Sequence, residues 1–415
     1  MFIDRFKRYN TIIKNTGYLS VLEIFKLIMP FIALPYIIRV IGAENYGLIA
    51  FVQTVISYFS MFVNFGLDIS AVRNVALARN DEDKLSEVVS SVLCLKCIFI
   101  FISFLFLCIL IFFFELFATN KLIFFFAFLS CFSDVLFPVW YYQGMERMKN
   151  ITLIRFASIL FYTASIFIFI RTKDDYVLVP LLQSLGMILS GGISVILLLR
   201  RDQIVFRFVD VSILKKYFIE SVPFFISRLS VLLNSGMAKL ICGTFFSMQS
   251  VAAFDVAQKV ATTSFVPVQM INQSVFPHIS RTLDRKLIHH CFKLILVISF
   301  LISGGIFLLA PFIIAFFAGE NMPEAIILLR ILCFYILCGG VSMFLGTPVL
   351  VAFGCYKPFN RSVILSTFIL VFLYSILYAL NIFVIENFAI VLGLTELSIV
   401  FYRLYFSMKY KILSK

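Results

Sequence analysis

The residues of this chain best placed to do chemistry are ionisable side chains set well inside long apolar runs: Glu23, Lys26, Arg39, Lys96, Asp134, Arg228, Lys239, Asp255, Lys259 and Arg330. A charge at the centre of a bilayer costs at least about 2.5–3.5 kcal/mol, so each must face protein or water. Cations outnumber carboxylates in this set, and the chemistry open to it is electrostatic: holding an anion, or neutralising one another. Glu23 and Lys26 at i, i+3, and Asp255 and Lys259 at i, i+4, share a helix face and can equally form structural ion pairs. Arg228 and Lys239 fall on one face of one helix at different depths, with no acidic neighbour on that helix. Arg39, Lys96 and Arg330 lie near the ends of their runs and are expected to snorkel to the interface. Lys26, Arg228, Lys239 and Lys259 are therefore expected to line a central water-filled cavity with excess positive charge, suited to an anionic head group. Glu23, Asp134 and Asp255 are the candidate coupling or charge-pair carboxylates.

Other chemistries have no motif to rest on. The sequence contains no G-x-x-x-x-G-K-[ST], no H-E-x-x-H and no G-x-S-x-G, the patterns of phosphate loops, zinc hydrolases and nucleophile elbows. His278, His289 and His290 sit in a basic connection and read as solvated rather than metal-binding. Cys94 and Cys97 form a C-x-x-C, but with Val92, Leu93, Leu95 and Ile98 around them they read as core cysteines. No catalytic residue, metal or cofactor is expected. The energy source is then an ion gradient or downstream consumption of the product.

The elements that must position these charges are membrane helices. The chain has 415 residues, 62% hydrophobic and 14% charged, with a mean hydropathy of +1.04, whereas soluble domains run about 45–50% apolar and about 25% charged. Runs of the roughly 20 apolar residues that cross a bilayer are read at 17–40, 47–67, 89–115, 121–143, 151–170, 176–199, 217–243, 250–276, 293–317, 325–353, 360–381 and 384–406. Their apolar character is continuous rather than alternating, which excludes a membrane β-barrel. The first is too long for a signal-peptide core and is expected to be retained. The expected fold is an all-α integral membrane protein of about twelve transmembrane helices.

Lysine and arginine concentrate in alternate connections, including Arg73, Arg79 and Lys84, then Arg147, Lys149 and Arg155, then Arg200, Arg201, Arg207, Lys215 and Lys216. By the positive-inside rule these face the cytoplasm, with both termini. The net charge of +13 is thereby a feature of topology and points to no nucleic acid. The long basic connection falls mid-chain and suggests a six-helix lobe at 1–200, a cytoplasmic linker at 201–216 and a second six-helix lobe at 217–415, around the cavity. The second span of each lobe is flecked with polar residues, Gln53 and Gln258 among them. Pro30, Pro35, Pro138, Pro223, Pro267, Pro277 and Pro348 interrupt spans and mark either moving helices or ordinary membrane kinks.

Three stretches resemble the bacterial O-antigen flippases, the polysaccharide-biosynthesis exporters. Pro35 to Asp83 carries a G-x-E-x-[YF]-G link at Gly42, Glu44, Tyr46 and Gly47, and F-G-L at Phe65, Gly66 and Leu67. WYYQGMERMK at Trp140–Lys149 resembles the family's Q-G-x-E-x-M-K segment, and Ala253–Ser280, ending QSVFPHIS, its eighth helix. The resemblance implies the two-lobed fold of the multidrug/oligosaccharidyl-lipid/polysaccharide exporter superfamily. It also implies a role in turning undecaprenyl-pyrophosphate-linked sugar units across the bacterial inner membrane, with an O-antigen polymerase and a chain-length regulator as candidate partners. It carries no residue-by-residue assignment of the cavity cations. A multidrug or cation exporter of the same superfamily would want an unpaired carboxylate, for which Asp134 is the candidate. An O-antigen polymerase would need a sizeable external loop, which this chain lacks.

Overall fold

The computed structural model describes Met29 and residues 31–201, 204–319 and 322–413. Glu23, Lys26 and Pro30 lie outside the described residues. Among those described no strand is present. The helices run α1 (Phe31–Ile41), α2 (Ala43–Asn64), α3 (Leu67–Ala78), α4 (Glu82–Phe113), α5 (Glu115–Thr119), α6 (Lys121–Leu136), α7 (Val139–Gly144), α8 (Met148–Phe169) and α9 (Leu178–Arg201). They continue as α10 (Val211–Phe245), α11 (Met248–Thr263), α12 (Val266–Thr282), α13 (Arg285–Ala318), α14 (Pro323–Phe344), α15 (Tyr356–Ala379) and α16 (Ile385–Lys409).

Ten of the described helical stretches are long and apolar enough to cross a membrane. The two expected spans not among them have distinct reasons. Only Phe31–Ile41 of the first is described. The eighth divides into α11 and α12, 16 and 17 residues long, whose Asp255, Gln258, Lys259, Gln269, Asn272 and Gln273 dilute its apolar content. At 1.5 Å per residue the 35-residue α10 reaches about 52 Å, well beyond the roughly 30 Å of hydrocarbon.

Helix ends follow local chemistry. The Asp81, Ser247 and Asp284 side chains accept backbone N–H groups from Lys84, Ser250, and Lys286 and Leu287, as N-caps do. The backbone N–H of Lys84, then its side chain, holds the Asp81 carboxyl below the usual carboxylate range. α2 stops where Phe65 (φ 42°) and Gly66 (φ 70°) turn left-handed, a conformation that suits glycine. A Cβ on Gly66 would sit 2.7 Å from the Phe225 backbone nitrogen. α14 continues as a π-helix over Leu345–Val351 around Pro348, whose missing N–H breaks the α ladder.

The chain forms two compact units. The first takes the described residues to Gly42 and Val52–Leu229; the second takes Ala43–Phe51 and Ser230–Lys415. In the first, Phe65 stacks on Phe99, Phe218 and Phe225 at 4.8, 4.9 and 4.2 Å, beside the buried Trp140, Tyr141 and Tyr142. α6 and α9 are joined by Ser133 and Ser184, whose hydroxyls donate to the Met187 and Phe126 carbonyls. Small and hydroxylated residues of this kind let membrane helices approach closely. Residues 204–210 have no helix, but Val205 and Arg207 donate their N–H groups to the Ser86 and Ser90 hydroxyls of α4. α10 therefore begins at Val211, not at 217 as the apolar run suggests. In the second unit α14 packs with α13 and α16, where Gly340 faces Ser299 and Gly393 faces Phe334. Cys94 and Cys97 are exposed, which corrects the core reading: the opposite face of α4, with Leu95, Lys96 and Phe99, turns inward.

Candidate functional site

Lys239 and Lys259 converge on a single carboxylate in the second unit. α11 sets Asp255 and Lys259 one turn apart, with Lys259 Nζ 2.7 Å from Asp255 Oδ2. α10 delivers Lys239, whose Nζ donates to Asp255 Oδ1 at 3.0 Å. The two helices are fastened beside this pair by Gln258 Nε2, which donates to the Ser235 carbonyl at 2.9 Å. Asp255 is only 3% exposed, Lys239 19% and Lys259 43%. The carboxylate is thus the buried floor, and the ammonium groups are its more accessible side.

Tyr46 closes the cluster from α2. Its hydroxyl donates to Asp255 Oδ2 at 2.5 Å and accepts from Lys259 Nζ at 2.7 Å, with the Lys259 ammonium 5.2 Å from the ring centroid. Its position depends on the next residue: a Cβ on Gly47 would lie 1.6 Å from the Met248 carbonyl oxygen, so the start of α2 runs backbone-to-backbone against α11. Two ammonium groups and one carboxylate leave one net positive charge. Such an arrangement can attract and hold an anion.

In the first unit the ionisable residues form separate groups. Lys96 is 2% exposed and donates to Asn64 Oδ1 and to the Asp134 carbonyl, each at 2.8 Å. The snorkelling expectation for Lys96 is therefore wrong; polar partners on α2 and α6 make burial possible where one helix viewed alone offers none. The Asp134 carboxylate accepts from the Ser60 hydroxyl and lies within the field of Lys96 and Arg155. Arg228 pairs with Asp68 at 3.1 Å, both partly exposed. Gln53 donates to Gln183 at 2.8 Å. Arg39 and Arg330 are exposed, Arg330 lying 5.4 Å from the Phe307 ring centroid.

Sequence reasoning missed a further buried group in the second unit. Arg403 donates to the Ser362 hydroxyl and the Ser342 carbonyl at 3.0 and 2.6 Å and lies 5.0 Å from the Phe359 ring centroid. Its charge acts on Glu396, which accepts from Ser342 Oγ. The signal was present: Glu396 is an acid inside an apolar run, with an arginine two turns on. Each of the span-associated carboxylates Asp68, Asp134, Asp255 and Glu396 thus has a cation close to it. Among the described residues no group of three or more His, Cys, Asp or Glu is placed to hold a metal ion.

The sequence motifs resolve mainly into packing. Phe65–Gly66 forms the aromatic corner, and Gly144 lies against Val75, where a Cβ would come within 2.6 Å. Glu146 (φ 59°) turns the chain into α8 and meets Arg79 at 3.7 Å. The Tyr46–Gly47 link touches the charged cluster, and the Ala253–Ser280 stretch supplies its Asp255 and Lys259.

Comparison with known proteins places these features. Residues 12–283 match a family described as "Polysaccharide biosynthesis protein". The chain is 25% identical over 357 residues, 85% of its length and 86% of the relative's, to a protein of Escherichia coli (strain K12) named "Putative O-antigen transporter". A Shigella dysenteriae protein of the same name is 25% identical over 317 residues, covering 74% of this chain and 78% of that one. Among solved structures, an inward-facing multidrug resistance MATE family transporter of the MOP superfamily superposes with a TM-score of 0.71 at 16% identity, covering 93% of this chain and 98% of that one. The lipid II flippase MurJ, inward closed, gives 0.71 at 15%, covering 96% and 87%. At such identities these two likenesses establish the fold.

Proposed function

This chain belongs to the polysaccharide biosynthesis protein family, and from that premise we propose that it is a transporter of lipid-linked polysaccharide. In this reading it turns undecaprenyl-pyrophosphate-linked O-antigen repeat units from the cytoplasmic to the periplasmic leaflet of the inner membrane by alternating access. The observation that carries the reading is the pair of lysines, Lys239 and Lys259, presented above one buried carboxylate. A pyrophosphate is an anion that two ammonium groups can hold, while its prenyl tail stays in lipid. The names of the relatives agree with such a substrate.

Arg228 and Lys26 extend the expected set of head-group contacts, and the basic connections orient both termini to the cytoplasm. An O-antigen polymerase and a chain-length regulator are the expected partners downstream. Against a cation exporter stand the ion pairs of Asp68 and Asp255 and the buried cations whose field reaches Asp134 and Glu396, which leave none of the four a bare acceptor for a cationic drug. Complementation tests the reading. A deletion strain lacking its O-antigen transporter is expected to recover surface O-antigen when this gene is supplied. Failure to rescue, or equal rescue by an unrelated drug exporter, contradicts it.

A further inference from the structure

We propose that Asp255 is an internal stand-in for the substrate's anionic group, holding Lys239 and Lys259 until that group displaces it, with Tyr46 as the residue that positions the exchange. The inference rests on the preceding reading and concerns the working of the same site. Both carboxylate oxygens are engaged, Oδ1 by Lys239 and Oδ2 by Lys259 and Tyr46. The lysines of the cluster are therefore not open for binding; they are already satisfied by an anion of the protein itself.

The accessibility runs in the order that a displacement needs. Asp255 is the most buried member and Lys259 the most exposed, so an arriving anion meets the ammonium groups before the carboxylate. A diphosphate brings more charge and more acceptor oxygens than one carboxylate, and charge-assisted hydrogen bonds are the strong ones. As the lysines turn to it, the Asp255 carboxylate would lose both its cations at a buried position, a costly state. Tyr46 offsets part of that cost, because its hydroxyl can keep donating to Oδ2 after Lys259 leaves. The same hydroxyl now accepts from Lys259 at 2.7 Å, which aims the ammonium while it waits. A tightly satisfied resting site also disfavours stray anions, since any ligand must outbid Asp255.

The deciding experiment uses the wild-type protein in nanodiscs with farnesyl pyrophosphate as the probe, and reads carbodiimide modification of Asp255 by mass spectrometry. Labelling is expected to rise at least about threefold at saturating probe, as the carboxylate is released. Unchanged or reduced labelling overturns the stand-in role. Calorimetric titration gives a second readout. Asp255→Asn is expected to bind the probe about tenfold tighter than wild type, Tyr46→Phe to bind a few-fold more weakly because the released carboxylate loses its remaining donor, and the Lys239→Ala/Lys259→Ala double variant to lose binding. Asp255→Asn binding no tighter than wild type, with its melting temperature retained, also overturns the proposal. Binding by wild type with an unresponsive Asp255 refutes this inference alone; no binding by any form refutes it together with the anionic-substrate reading.

Discussion

At the scale of single residues, the consequences of substitution depend on what each charge leaves behind. Arg403 is buried on two serine oxygens with Glu396 in its field. Removing one member of such a pair costs about 3–5 kcal/mol, while replacing both can be nearly neutral. Arg403→Met is therefore expected to lower the melting temperature in detergent strongly, and Arg403→Met with Glu396→Gln to recover much of it. Lys96→Met is expected to be similarly damaging, because Asp134 then keeps only Arg155 as a nearby cation; loss of folded yield in size-exclusion chromatography reads this. The i, i+4 spacing of Asp255 and Lys259 was legible, and the structure adds Lys239 to it. Tyr46 was visible only as part of a motif: it meets Asp255 across 209 positions, and no spacing rule reports such a contact. Lys96 was misjudged for the same reason, since its partners lie 32 and 38 positions away. Lys26 and Glu23 lie outside the described residues.

At the scale of elements, glycines decide which helices touch. Gly47→Ala puts a methyl group against the Met248 carbonyl, whereas Gly304 has nothing within 4 Å of a Cβ. Gly47→Ala is expected to reduce thermal stability and activity together, and Gly304→Ala to leave both unchanged or slightly raise stability, as glycine-to-alanine changes in open helix positions do. Equal behaviour of the two variants in a melting assay would contradict the close approach of α2 and α11. The existence of the long apolar helices was readable from hydropathy alone. The break of the eighth span into α11 and α12 was not. Its polar residues suggest a binding span and Pro267 reads as a kink within it, whereas the structure sets Pro267 in the first turn of α12, where the missing N–H has no helical partner to lose.

At the scale of the whole molecule, composition and family membership agree on a multi-pass membrane transporter fold, and the arrangement of basic connections predicts its orientation. Reporter fusions check that orientation: a fluorescent protein joined after Arg207 is expected to glow, and alkaline phosphatase joined after Lys173 to be active, with the reverse pattern contradicting it. The central claim is that Lys239 and Lys259 carry a lipid-linked anion across the bilayer. Its most direct measurement is in proteoliposomes containing a prenyl-pyrophosphate-linked oligosaccharide, with an external glycosidase reporting on the sugar exposed outside. The wild-type protein is expected to make the inner-leaflet pool accessible well above the protein-free rate, and the Lys239→Ala/Lys259→Ala variant to fall to that rate. Transport by the double variant at the wild-type rate, or no transport by the wild type, would contradict the account.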